Sequence, residues 1–226
     1  MNGTDSKVGI GRLILVPAII TLAITILRLV GELQGWSPLL FNKSAGGGGA
    51  IIGISWLPII FGPYFAWKLA AAGDGPSSLG KMFAAIGAEL VVFVLGGIAF
   101  FTGFTKHMEA ASLVGFVLML VSAFIPRIGW KAFGNALVAY AFAARIPVLI
   151  VMYIAMSASG GQGWGTHYDV TAPGLAVASF GQKFFDEAVL PQMGMWIGYT
   201  AFVGGILGAI TFAIFGRKRV AAAAAA

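Results

Sequence analysis

The sequence predicts an all-α integral membrane protein, a bundle of six transmembrane helices. Three observations carry this. Hydrophobic residues make up 59% of the chain and charged ones only 10%, with a mean hydropathy of +0.92, whereas soluble domains carry about 25% charge. Apolar stretches of roughly the length that crosses a bilayer recur along the 226 residues. The basic residues gather at the ends of those stretches, which suits topology setting rather than nucleic-acid binding. With no Cys, disulfides, thiolate metal sites and cysteine nucleophiles are excluded.

The expected spans are residues 12–34, 50–72, 79–102, 110–126, 131–157 and 192–215, within one domain over residues 1–220. The first apolar run is too long for a signal-peptide core and reads as a retained span. Its Thr21, Thr25, Arg28 and Glu32 are spaced by four, three and four, so they share one helical face. That polar stripe either lines a wet cavity or lets Arg28 and Glu32 snorkel to the headgroups. Gly46 to Gly49 form a flexible connector. The second span holds Pro58 and Pro63, which predict a kink or a locally broken helix.

The third span holds Glu89 and the fifth holds Arg145, the two charges deepest in apolar sequence. An unpaired charge at bilayer depth costs from ~3 to more than ~10 kcal/mol. The expected solution is an intramembrane Glu89–Arg145 ion pair. The fourth span stops at Pro126-Arg127. Residues 158–191 form the one long polar segment, expected as an extracytoplasmic loop with a short interfacial helix over 175–190. The last span contains Gly194-x-x-x-Gly198 and Gly204-x-x-x-Gly208, which favour close helix contact. Six alanines at 221–226 follow and carry no fold information.

Charge asymmetry orients the bundle. With both termini cytoplasmic, the inner side carries Lys7, Arg12, Lys68, Lys81, Arg127, Lys131, Arg217, Lys218 and Arg219. The outer side carries Lys43, Lys106 and Lys183. The expected location is a multiply crossed cell membrane of the bacterial inner-membrane kind.

Two outward loops carry the only histidines, in His107-x-Glu109 and His167-x-Asp169. In extended chain, residues i and i+2 share a face. The four side chains would then make an outer-face site able to take a divalent metal such as zinc. No other cofactor is expected: no His lies in a span to bind haem, and no Lys lies mid-span to form a Schiff base.

The expected partners are the lipid bilayer and another membrane protein or a second copy docked on glycine-rich faces, with no nucleic acid. Three activities fit these features. The first expectation is a non-enzymatic membrane component or accessory subunit. The second is a small-solute transporter or channel with a polar site on helices one, three and five. The third is a membrane enzyme acting on a lipid or lipid-linked substrate at the outer face.

Overall fold

The computed structural model describes residues 8–47, 50–172 and 179–225. The N-terminal tail through Lys7, the second half of the glycine connector and the first residues of the expected interfacial helix lie outside the described residues. Among the described residues, five helical stretches are long and apolar enough to cross a membrane: Ile10–Leu33, Leu79–Thr105, Glu109–Gly129, Lys131–Gly161 and Phe180–Ala223.

Helix α1 (Ile10–Leu33) carries Pro17 in its interior. Helix α2 (Pro58–Ala71) starts later than expected. Its 14 residues rise only ~21 Å, short of a ~30 Å hydrocarbon core. Pro58 suits the start, because a proline is favoured in the first helical turn, where its missing N–H is not needed. Residues 50–57 are turns and bends instead.

Helix α3 (Leu79–Thr105) opens on Ser78, whose hydroxyl accepts from the Lys81 amide at 3.3 Å. Helices α4 (Glu109–Ser122) and α5 (Pro126–Gly129) follow, then α6 (Lys131–Gly161). The regular part of α6 ends near Ser157, since Ser159, Gly160 and Gly161 have φ of 52°, 69° and 94°. Glycine is the residue that takes such angles freely.

The last stretch is longer than expected. Helix α7 (Phe180–Phe184) runs directly into a π-helical segment, Phe185–Met195, and that into α8 (Trp196–Thr211). Pro191, expected to separate two elements, lies inside the π segment. A second π turn, Phe212–Gly216, leads to α9 (Arg217–Ala225).

The core is aromatic at its centre. Tyr140 on α6 meets Phe61 and Phe65 on α2 edge-on, with ring centroids 5.3 Å and 5.5 Å away. Its hydroxyl hydrogen-bonds Thr21 Oγ1 at 2.9 Å. Glycines let two helix pairs close further than side chains would permit. A Cβ at Gly62 would overlap the backbone of Gly204, joining α2 to α8. One at Gly115 would overlap the Phe100 backbone, joining α4 to α3. Gly194 and Gly198 abut Phe116 and Phe93, so both predicted glycine motifs are used inside the chain.

Outward-facing positions are apolar, including Leu15 and Ile19 on α1, Val91 and Leu95 on α3, and Ile146 and Ile150 on α6. These surfaces are compatible with lipid contact. Two polar staples mark opposite ends of α6. Before its start, Trp130 Nε1 donates to Asp74 Oδ1 at 2.7 Å. Beyond its end, His167 bonds to Glu32 at the end of α1.

Gly62→Ala should therefore destabilise the detergent-purified protein by about 1–3 kcal/mol, because the backbone of Gly204 cannot yield as a flexible side chain would. Gly87→Ala is the control. Nothing lies within 4 Å of a Cβ there, so its melting temperature should hold or rise slightly. Thermal unfolding of both variants checks this.

Candidate functional site

A cavity of about 520 Å³ opens where α1, α3 and α6 finish. Thr25 and Arg28 of α1, Ser55 of the irregular segment and Phe100, Phe101 and Phe104 of α3 form part of its wall. Arg145, Val148 and Met152 of α6, His167 and Tyr168 of the following loop, and Gln192 and Trp196 complete much of the rest.

The stripe on α1 faces inward as one surface: Thr21, Thr25, Arg28 and Glu32 are all buried. The threonine hydroxyls bond back to carbonyls four residues earlier, Thr21 to Pro17 and Thr25 to Thr21. Arg28 and Glu32 do not snorkel. Arg28 Nε donates to Glu32 Oε1 at 2.8 Å and Nη2 to the Asn42 carbonyl at 3.1 Å.

Glu32 also receives the loop after α6. The His167 amide donates to Glu32 Oε2 at 2.8 Å, and His167 Nδ1 lies 2.5 Å from Oε1. The imidazole therefore carries its proton on Nδ1 when neutral, because a carboxylate only accepts. Nε2 is left without a hydrogen-bond partner among the described residues, on a side chain that lines the cavity. The ring packs on Tyr168 at 3.8 Å between centroids, and the Tyr168 hydroxyl donates to the Thr25 carbonyl at 3.2 Å.

Asp169 shapes this loop. Its carboxylate accepts from the amides of Gly165 and Thr166 at 2.8 Å and 2.9 Å and from the Thr166 hydroxyl. Lys183 Nζ donates to the Asp169 carbonyl at 2.6 Å. The chain here is a tight turn, so residues 167 and 169 do not share a face as extended chain would. His107 and Glu109 are exposed in the α3–α4 turn, with His107 at a φ of 54°. The four outer-face side chains are thus not one site. Among the described residues, no three His, Asp or Glu side chains gather to hold a metal ion.

The expected Glu89–Arg145 pair does not form either. Neither oxygen of Glu89 has a hydrogen-bond partner among the described residues, and its carboxyl lies beside Gly205 of α8. Arg145 turns instead to the last helical stretch. Its Cζ lies 4.6 Å from the Trp196 ring centroid, and Nη1 makes a long 3.5 Å contact with Gln192 Oε1. Similar depth does not bring two side chains together, because rotation about each helix axis decides which neighbours they meet. Gln192 and Trp196 are four residues apart, so their common face was visible in the sequence, although its meeting with Arg145 was not.

Burial holds the His167 imidazole below the ordinary histidine range, against the opposing pull of its hydrogen bond to Glu32; Arg28 also lowers it and Asp169 raises it. The unfolded chain then takes up the proton first as pH falls past ~6.5. The stability tied to the neutral ring is complete above that pH and declines below it, until the folded ring is also protonated. Thermal melts between about pH 7 and about pH 5 should show this loss, and His167→Gln should remove part of the slope.

No protein-family model matches the chain, and neither does any curated protein or solved structure.

Proposed function

We propose that this chain is a membrane enzyme acting on a lipid or lipid-like substrate at the face where α1 and α6 end. Glu32 and His167 are its acid–base pair. The observation that carries this is His167, held through Nδ1 by a buried carboxylate while Nε2 is left open on a cavity wall. The carboxylate fixes the tautomer and offsets the charge when the ring takes a second proton.

The cavity suits a substrate with two characters. Its lining is mixed, with Arg28, Arg145, His167 and Gln192 polar and Phe100, Phe101, Val148 and Met152 apolar. Ester cleavage needs one proton moved twice. Nε2 takes a proton from water as the water oxygen bonds to the ester carbon or phosphorus. The imidazolium then returns that proton to the departing alcohol oxygen. No side-chain hydroxyl is bonded to Nε2 among the described residues, so the attacking group is water or a second substrate.

Two features support the reading that this face lies outside the cell. The staples at the two ends of α6 favour a chain that returns along it between Glu32 and Asp74. Residues 50–57 with α2 would then make a sixth crossing, whose irregular part lines the cavity through Ala50, Gly53, Ile54 and Ser55. An even count puts both termini on one side, and the basic residues make that side cytoplasmic.

Two measurements test the proposal. In micelles, a panel of 4-nitrophenyl alkanoates and alkyl phosphates should include one that is turned over. His167→Gln should cut that rate by about 10²- to 10⁴-fold. Equal rates in both proteins would overturn the assignment. For topology, the native chain lacks cysteine, so single cysteines at Ser44 and Ser77 can be labelled in intact cells with an impermeant maleimide. Ser44→Cys should react and Ser77→Cys should not; labelling of both, or the reverse pattern, would overturn the orientation.

A further inference from the structure

Arg145 is 4% exposed, and its Nε is buried without a hydrogen-bond partner. No carboxylate lies within ion-pair distance of it among the described residues. Its contacts are the Trp196 ring and the distant Gln192 amide oxygen. A cation enclosed this way is costly, and an aromatic face offsets only part of that cost. Arg28 differs, because Glu32 neutralises it. Asp186 and Glu187 also line the cavity, but neither reaches Arg145, and Glu187 Oε1 accepts from the Ala172 amide at 2.7 Å.

The guanidinium thus lacks a fixed counter-ion while lining a cavity large enough to admit one. Its planar donor fork matches the oxygens of a phosphate or carboxylate. The apolar lining points to what carries that group. Phe101 lines the cavity and is 53% exposed on the outer surface of α3, so the apolar lining is continuous with the lipid-facing surface. We propose that the cavity binds an oxyanion borne on an apolar chain, with the oxyanion on Arg145 and the chain along Phe100 and Phe101. This rests on the cavity assigned above and names its substrate class.

The experiment uses the full chain in a neutral detergent, with dodecyl phosphate as probe. Dodecanol and inorganic phosphate are the two partial ligands. Dodecyl phosphate should raise the melting temperature, and neither partial ligand should do so at the same concentration. Arg145→Met should weaken the dodecyl phosphate Kd by about 10- to 100-fold, the range of a lost charge-assisted bond. Its unliganded melting temperature should not fall, since the change removes a charge without a counter-ion.

An equal shift with dodecanol would overturn the oxyanion, and an equal shift with inorganic phosphate would overturn the apolar chain. Unchanged affinity in Arg145→Met would overturn the assignment to Arg145. Should that variant fail to fold, the three-ligand comparison on the native chain decides alone. Probe binding without any ester turnover would count against the enzyme and leave this inference standing; turnover without probe binding would do the reverse.

Discussion

Glu32 is the polar group on which the rest of the cavity end depends. Its carboxylate is fully buried and accepts from the Arg28 side chain and from both the backbone and the ring of His167. In a bundle enclosed by lipid, no solvent replaces a lost partner, so each such bond also dictates position. From Glu32 the links pass along the chain. Tyr168 returns to the Thr25 carbonyl, Asp169 closes its own turn, Lys183 holds the Asp169 carbonyl and Glu187 holds the Ala172 amide. Residues 165–172 are thereby fixed between the first helix and the last. A buried ion set of this kind adds little stability over apolar side chains of equal volume. What it supplies is a defined orientation for His167.

Glycine contacts set where the cavity can lie. Gly62, Gly204 and Gly208 press α2 against α8, and Gly96, Gly103 and Gly115 press α3 against α4. Close contact on those faces leaves no room for a ligand. The open space falls between the two sealed pairs, where α1, α3, α6 and the π segment converge. The π segment matters here. Its wider turn accommodates Pro191 without breaking the helical path and brings Asp186, Glu187, Gln192 and Met195 to one wall.

How much of this was legible in the sequence depended on whether the signal was local. The membrane class and most helix positions follow from apolar runs, and the shared face of Thr21, Thr25, Arg28 and Glu32 follows from helical spacing. Pro58 and Pro63 announced a break in the second element, although not that helix would begin only at Pro58. The Glu32–His167 link joins residues 135 positions apart, and no spacing rule reaches that far. His167 and Asp169 looked like a ligand pair because extended geometry was assumed, yet glycines at 163 and 165 with positive φ turn the chain there. Proline inside the π segment read as an end, because an α-helix tolerates it poorly while a π turn accepts it.

Glu89 and Arg145 show why two buried ionisable groups need not answer one another. Depth alone made them look like partners, and each instead has its own environment. Glu89 lies against Gly205 near Leu137 and Ile86, a site closed on all sides by packed helices, and it is absent from the cavity wall. Arg145 is on that wall with an aromatic ring behind it. A fixed ion pair would have lowered the cost of both groups and left neither available. Directing Arg145 into the open space keeps that cost until a mobile anion arrives, which is where binding energy for a ligand would come from. The closed site at Glu89 admits no such exchange. Of the two groups, only the arginine is positioned for a ligand that comes and goes.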